Sequence, residues 1–196
     1  MKRTNKRDKL IQVGREIVVR QGFNAASLND ILSAASIPKG SFYYYFSSKE
    51  DFGLAIIDDF ANQYRDKLKN SLEDAKFSPL QRLRNYFELG IADMENCQCI
   101  SGCLIGNLAQ ELSAQNEVFR DRLNQVFIDW EKCLAQCLEA AYEAGEIDDN
   151  SNIKDLAKFI LSSWEGAILQ AKVTKSVLPM QTFVKILFQQ ILYQSS

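Results

Sequence analysis

Thiol groups are the reactive side chains that stand out in this sequence. Three of the five cysteines fall within seven consecutive residues, namely Cys97, Cys99 and Cys103. Ser101 has a side chain typical of an N-cap, and the spacing of the leucines that follow predicts a helix with Cys103 in its first turn. The N–H groups of a first turn stabilise a thiolate, which is the reactive form of cysteine. The segment is therefore a candidate reactive-thiol site.

A helix terminus alone does not make Cys103 strongly reactive. Its dipole contributes about 0.3–1 kcal/mol, whereas lowering a pKa by one unit takes about 1.4 kcal/mol. The ordinary thiol pKa of about 8.5 would therefore fall by less than one unit, and a nearby cation would have to supply the rest. Lys172 is the candidate, because its ammonium group lies in a mainly apolar helical stretch, where a charge needs a partner.

The absence of histidine restricts the other roles of these cysteines. With 0 histidines, the usual base of a catalytic cysteine is missing, so a thiol enzyme is not the predicted class. Three thiolates also suit a soft metal ion, but a clear fourth ligand is missing, and neither a metal nor another cofactor is predicted. An odd number of cysteines argues against a disulfide framework. Cys133 and Cys137, one helical turn apart, are predicted to be packing residues.

Charge is divided unevenly along the chain. The net charge is −2, yet residues 1–50 carry nine basic and four acidic side chains, and residues 51–196 carry 14 basic and 21 acidic ones. This division indicates a module that binds a polyanion, attached to a part that does not. No stretch has the roughly 20 apolar residues of a membrane-spanning helix, and the N-terminus lacks a signal-peptide pattern. We expect a cytoplasmic protein with no membrane partner.

The spacing of apolar residues predicts an all-α fold. Only 9 glycines and 3 prolines are present, which leaves few residues for turns between strands. Gly22 and Gly145 are predicted to end helices, and Ser27 to cap one. The predicted helices cover about 4–21, 28–35, 39–45, a stretch from 49 past 64, 152–173 and 180–194. Three more are predicted from apolar spacing: one from Pro79 through Ile91, one that follows an N-cap at Ser101 and carries Leu104, Leu108 and Leu112, and one from about Phe119 that Gly145 ends.

Two short helices separated by a tight turn lie inside the basic segment, which is typical of a helix-turn-helix. The stretch resembles the N-terminal domain of TetR-family transcriptional regulators, through Gly22-Phe23, Pro38-Lys39-Gly40-Ser41-Phe42-Tyr43-Tyr44-Tyr45-Phe46 and Ser48-Lys49-Glu50. The resemblance implies a helix-turn-helix three-helix domain over residues 1–50 and a larger helical sensor and dimerisation domain over 51–196. It also implies a homodimer that binds a palindromic operator in double-stranded DNA.

The chemistry of this stretch agrees with DNA contact. Lysine side chains would meet phosphates, and tyrosine hydroxyls and rings suit phosphates and thymine methyl groups. Gly40 lets the backbone come close to DNA, while Phe42 and Phe46 are predicted to pack inward. Tyr45 stands where many family members carry His. The candidate DNA-binding residues are Ser27, Lys39, Gly40, Ser41, Tyr43, Tyr44, Tyr45 and Lys49.

A narrower resemblance concerns the thiol segment. Ile100-Ser101-Gly102-Cys103-Leu104, with Gly166-Ala167 and Leu169-Gln170-Ala171-Lys172, is similar to TetR repressors that respond to N-ethylmaleimide, other electrophiles and reactive chlorine. It implies that Cys103 is the sensing thiol, that Lys172 is associated with it, and that a reactive electrophile or oxidant is the effector. Helix movement would then spread the two DNA-binding domains, with Cys97 and Cys99 as candidate resolving thiols. A small-molecule or soft-metal effector is the alternative.

The last two helices carry the predicted dimer interface. An apolar stripe on both helices, buried against a copy of itself, fits two-fold symmetry and the four-helix interface of the family. The candidate interface residues are Trp164, Phe183, Leu187 and Ile191. Ordinary packing within the chain is the alternative for them. Other aromatic residues, Tyr64 and Tyr86 among them, are predicted to belong to the core in preference to lining a pocket.

Overall fold

Glycines in the left-handed backbone region end two of the helices. The computed structural model describes residues 6–147 and 152–192. Gly22 adopts a φ of +84° directly after the first helix, and its N–H donates to the carbonyl of Val18 at 2.9 Å. Gly145 adopts a φ of +70° beyond the end of the seventh helix. Both are the helix ends that the sequence predicts.

The all-α fold is confirmed, since the regular structure of the described residues is entirely helical. Residues 4, 5, 193 and 194 of the predicted helices lie outside those residues. Within the described ranges, no helix is long and apolar enough to cross a membrane. The helices are α1 (Lys6–Gln21), α2 (Leu28–Ala35), α3 (Lys39–Tyr45), α4 (Lys49–Leu72), α5 (Pro79–Asn96), α6 (Leu104–Leu112), α7 (Glu117–Glu143), α8 (Ile153–Thr174) and α9 (Leu178–Ile186), followed by a π-helical turn (Leu187–Ile191).

Contacts divide the chain into two compact units. The first unit holds the chain up to Gln63 together with Leu104–Asn124, and the second holds Tyr64–Cys103 and the chain from Gln125 onward. Helices α4 and α7 contribute residues to both units. The predicted boundary at residue 50 falls inside α4, where the helix is unbroken. That boundary is a division by function and stays a prediction.

Three phenylalanines anchor α3 in the first unit. Phe42, Phe46 and Phe52 are all buried, and the ring of Phe52 lies 5.6 Å from that of Phe42 and 4.9 Å from that of Phe46. Gly14 on α1 makes room for this cluster, because a Cβ atom there would come within 2.3 Å of the Phe52 ring. Phe42 and Phe46 therefore pack inward, as predicted, and leave the opposite face of α3 to solvent.

Two of the predicted dimer-interface residues belong to the core of the second unit. The Trp164 ring lies 4.8 Å from that of Phe87 and 5.5 Å from that of Phe183, and the Trp164 residue is only 3% exposed. Leu187 is fully buried. Trp164 and Leu187 therefore pack against their own chain, whereas Phe183 and Ile191 are half-buried. A dimer interface at these four residues stays a prediction.

Helix α6 begins slightly later than the sequence predicts. Its first residue is Leu104, so Cys103 directly precedes the helix instead of lying in its first turn. Gly102, with a φ of +66°, turns the chain between Ser101 and the helix. The hydroxyl of Ser101 hydrogen-bonds to the sulfur of Cys97. The predicted activation of Cys103 by a helix N-terminus therefore has a weaker basis than the sequence suggests.

Candidate functional site

The solvent face of α3 presents two tyrosine side chains. Tyr43 is 63% exposed and Tyr44 is 82% exposed, although both are large aromatic residues. Lys39, the first residue of the helix, is exposed as well, and Ser41 and Tyr45 are half-buried. Helix α3 thus offers a cation, phenol hydroxyls and aromatic faces on one surface. This combination suits phosphates and the edges of bases.

Ser27 and Gly40 have local geometries that agree with their predicted roles. The Ser27 Oγ accepts a hydrogen bond from the backbone N–H of Asp30 at 3.1 Å, so Ser27 caps α2 as predicted. A Cβ atom at Gly40 would meet no other atom within 4 Å. Because nothing in the chain requires a glycine there, a close approach by a ligand gives a reason for one.

Lys49 is held against the turn between α1 and α2. Its Nζ donates to the Asn24 carbonyl at 3.2 Å and lies 4.8 Å from the centre of the Phe23 ring. Burial lowers the pKa of Lys49, and the charge of Glu111 partly offsets this effect. Lys49 therefore stabilises the first unit, and contact with a phosphate stays a prediction for it.

Glu111 binds the same turn from the end of α6. Its carboxylate accepts the backbone N–H of Phe23 at 2.9 Å and that of Asn24 at 2.7 Å. These N–H groups follow the end of α1, where a chain leaving a helix needs new partners for its backbone. Helix α6 and the turn that leads into α2 are therefore joined by two charge-assisted hydrogen bonds.

The thiol of Cys103 donates a hydrogen bond to the carboxylate of Glu165 on α8. Both residues are half-buried and belong to the second unit. Burial raises the pKa of Glu165 to about 7, although the hydrogen bond from Cys103 acts in the opposite direction. A carboxyl group with this pKa exchanges its proton near neutral pH, unlike an ordinary glutamate.

Lys172 is half-buried and lies seven residues after Glu165, on the same side of α8. Seven residues of helix span roughly 10 Å. Long helical side chains lean toward the helix N-terminus, and Glu165 lies in that direction from Lys172. The association of Lys172 with Cys103 stays a prediction.

Two tyrosines extend the cluster around Cys103. The hydroxyls of Tyr64 on α4 and Tyr86 on α5 lie 2.7 Å apart and share a hydrogen bond. Burial raises the pKa of both phenols, and the charges of Glu165 and Cys103 raise them further. Both tyrosines therefore remain neutral at physiological pH. Cys103, Glu165, Tyr64 and Tyr86 form what we call the Cys103 cluster.

The surroundings of Cys97 favour its thiolate, unlike those of Cys133 and Cys137. Burial alone raises its pKa, but hydrogen bonds to the sulfur, chiefly from the backbone of Ser101 and Ile100, outweigh burial and lower the pKa overall. The turn that brings these N–H groups to the sulfur includes Gln98 and Cys99, both with a φ of +52°. The thiolate of Cys97, which is predicted as a resolving thiol, is therefore stabilised by its own turn.

The remaining cysteines have less reactive surroundings. Cys99 is buried, and Lys175 donates to its carbonyl oxygen at 3.3 Å. Burial raises the pKa of Cys133, and it raises that of Cys137 to about 11. All five cysteines are thiols in the structure. In the described part of the chain, no three Cys, Asp or Glu side chains lie close enough together to hold a metal ion.

An open apolar groove runs along α8 and α9. Phe183 and Ile191, two predicted interface residues, line it together with exposed apolar residues of both helices. Phe159 is 50% exposed, Leu178 63% and Ile186 41%. Exposed apolar surface of this kind makes the groove a candidate interaction site.

A helix-turn-helix region followed by a larger helical region is the architecture of a DNA-binding regulator. Residues 10–56 match the family model described as "Bacterial regulatory proteins, tetR family", and residues 79–187 match "Tetracyclin repressor-like, C-terminal domain". The chain belongs to the TetR family of transcriptional regulators.

Three relatives are similar over nearly their whole length. The transcriptional repressor DhaR of Mycobacterium sp. (strain GP1) is 35% identical over 98% of this chain and 95% of DhaR. The regulator AcuR of Cereibacter sphaeroides is 36% identical over 90% of this chain and 80% of AcuR. The crystal structure of reduced E. coli NemR is 28% identical, with a TM-score of 0.88 over 97% of this chain and 99% of that one.

Sequence reasoning missed Glu165 and the pairing of Tyr64 with Tyr86. Glu165 did carry a signal, because it is a carboxylate in the same mainly apolar helical stretch that singled out Lys172. Nothing in the spacing of the tyrosines indicates that their hydroxyls meet. Glu111 is likewise an ordinary surface glutamate in the sequence, and only the fold brings it to the backbone of Phe23 and Asn24.

Proposed function

We propose that this regulator is a homodimeric repressor that leaves its operator when an electrophile or oxidant modifies Cys103. The observation that carries the proposal is the hydrogen bond between Cys103 and the half-buried carboxylate of Glu165. A thiol that is hydrogen-bonded to a proton acceptor can lose its proton and react, and the thiolate is the reactive form of cysteine. Because Cys103 lies just before a helix, its modification can move that helix. NemR, a repressor 29% identical over 89% of this chain, supports the placement in the electrophile-responsive branch.

The route from the thiol to the DNA-binding region is short along the chain. Cys103 directly precedes α6, and α6 carries Glu111, which binds the turn between α1 and α2. An adduct or oxidised sulfur changes the volume and hydrogen bonding of residue 103. The start of α6 must then move, and Glu111 passes the movement to the helix-turn-helix.

The proposed DNA-reading surface is the solvent face of α3 with the neighbouring helix starts. Its residues are Ser27, Lys39, Gly40, Ser41, Tyr43, Tyr44, Tyr45 and Lys49, within the functional domain 1–50.

Domain 51–196 would sense and dimerise. The proposed dimer surface is the apolar groove of α8 and α9, which Phe183, Leu187 and Ile191 line together with the exposed Phe159, Leu178 and Ile186, and Trp164 is a further candidate. In the sensor, Lys172 would pair with modified Cys103, and Cys97 and Cys99 would be the resolving thiols.

Operator binding before and after alkylation tests this function. A palindromic duplex is first selected with the purified protein, and its binding should weaken steeply with added salt. Treatment with N-ethylmaleimide should lower the affinity of the wild-type protein for the duplex at least tenfold. The affinity of Cys103→Ser for the same duplex should not change. Cys133→Ser is the matched control and should respond like the wild type. A Cys103→Ser protein that loses affinity as the wild type does would contradict the assignment.

A further inference from the structure

The Cys103 cluster contains one group whose chemistry is matched to removing a proton from the thiol. We propose that Glu165 is the proton acceptor of Cys103 when the thiol attacks an electrophile whose carbon–carbon double bond is conjugated to a carbonyl group. The inference rests on the proposed function, since it names the residue that makes Cys103 reactive. It adds a proton acceptor to the cation that the sequence assigns to this thiol.

The geometry supports this role directly. The Cys103 thiol already donates its proton toward the Glu165 carboxylate, so no rearrangement is needed for the transfer. A general base must lie within hydrogen-bond reach of the proton that it takes. Glu165 meets this condition from α8, a helix whose neighbouring residue Trp164 is fixed in the core by Phe87 and Phe183.

The other titratable groups around the cluster are poor proton acceptors. Tyr64 on α4 and Tyr86 on α5 have raised pKa values and remain protonated, and Cys133 on α7 also has a raised pKa. The pKa of Glu165 lies near 7. A base is most effective when its pKa lies near the working pH, because it is then largely ionised and still basic.

The reaction step balances without an oxidant. The Sγ–H proton passes to a carboxylate oxygen of Glu165, and the sulfur lone pair forms a bond to the β-carbon of the electrophile. The π-electron pair moves toward the carbonyl group, and the α-carbon then takes the proton from Glu165. One S–H bond and one π-bond are lost, one S–C bond and one C–H bond are formed, and Glu165 returns to its starting state.

The pH dependence of alkylation tests the role of Glu165. The rate at which N-ethylmaleimide modifies Cys103 in the full-length protein is measured by peptide mass spectrometry between about pH 5.5 and pH 9. For the wild type, the rate should rise through pH 7, where Glu165 is about half ionised, and level off at higher pH as its ionisation becomes complete. In Glu165→Gln the levelling should disappear, and the rate at pH 7 should fall at least tenfold, since a general base typically contributes about 10²–10⁴-fold.

Two further variants separate a proton acceptor from a structural residue. Glu165→Asp retains a carboxylate and should keep the change of slope near neutral pH. Glu139→Gln removes an exposed carboxylate from α7 and should match the wild type. The alkylation rate of Cys133 and the melting temperature report whether each variant is folded. A folded Glu165→Gln protein with the wild-type profile would overturn the inference.

The outcome is distinguishable from failure of the proposed function. If alkylation of Cys103 leaves operator binding unchanged, the sensing role fails. The pH profile of alkylation would still decide whether Glu165 accepts the proton.

Discussion

Gly90 on α5 lies so close to Trp164 on α8 that a Cβ atom at residue 90 would be 2.7 Å from the indole ring. This contact explains why the Trp164 side chain fits inside the second unit. The same helix carries Glu165 at the next position, so the contact at Gly90 packs α8 beside the Cys103 cluster.

Replacing Gly90 by alanine should destabilise the protein. The added methyl group forces a buried indole to move, and overpacking of this kind costs about 1–3 kcal/mol of unfolding free energy. Urea unfolding measures the change. Gly40→Ala is the matched control, because a Cβ atom at residue 40 meets nothing within 4 Å. There, alanine should stabilise the helix by about 0.5–1 kcal/mol and still weaken operator binding. A Gly90→Ala protein as stable as the wild type would show that the core adapts easily.

Removing the carboxylate of Glu111 should loosen the turn between α1 and α2. Glu111→Ala deletes two hydrogen bonds to backbone N–H groups, one of them part-buried, and we expect a loss of about 1–2 kcal/mol of unfolding free energy. Hydrogen exchange at Phe23 and Asn24 should speed up more than exchange elsewhere in α1. Glu16→Ala removes an exposed glutamate from α1 and provides the comparison. Equal protection of Phe23 and Asn24 in both variants would exclude a specific role for Glu111.

The cysteines should react with iodoacetamide in an order set by their pKa values. Cys97 and Cys133 are both half-buried, but the pKa of Cys97 is lowered and that of Cys133 is raised. At pH 7, Cys97 should therefore be labelled faster than Cys133. Cys137, with a pKa near 11, should be labelled last, since about one thiol in 10⁴ is ionised at that pH. Peptide mass spectrometry after timed quenching gives the rates, and comparable rates at Cys97 and Cys133 would contradict the proposed stabilisation of the Cys97 thiolate.

A charge in the apolar groove of α8 and α9 should separate the dimer. Leu178 is the first residue of α9 and is 63% exposed, so Leu178→Asp places a carboxylate at a helix N-terminus, where it does not disturb the helix. Sedimentation should show a shift toward monomer. Val118→Asp has a similar position near the start of α7, at 49% exposure, and should leave the dimer intact. If Leu178→Asp sediments as the wild type does, the groove is not the dimer surface.

The sequence predicted local features well because their causes are local. The left-handed Gly22, the Ser27 cap and the inward-facing Phe42 each depend on residues within one or two turns. The Cys103 cluster depends on contacts between residues distant in sequence, since Cys103 and Glu165 are 62 positions apart. Trp164 illustrates the limit: an apolar stripe does not reveal whether a second copy or the same chain covers it.

Two successive residues beside Cys97, Gln98 and Cys99, take a φ of +52°. Outside glycine and asparagine, this conformation costs about 1 kcal/mol or more for each residue. Glycine would relieve this cost at residue 98, where the side chain is exposed, but at residue 99 it would also remove a side chain from the core. Of two neighbouring residues in the same backbone conformation, only Gln98 is therefore a position where higher stability is easy to reach.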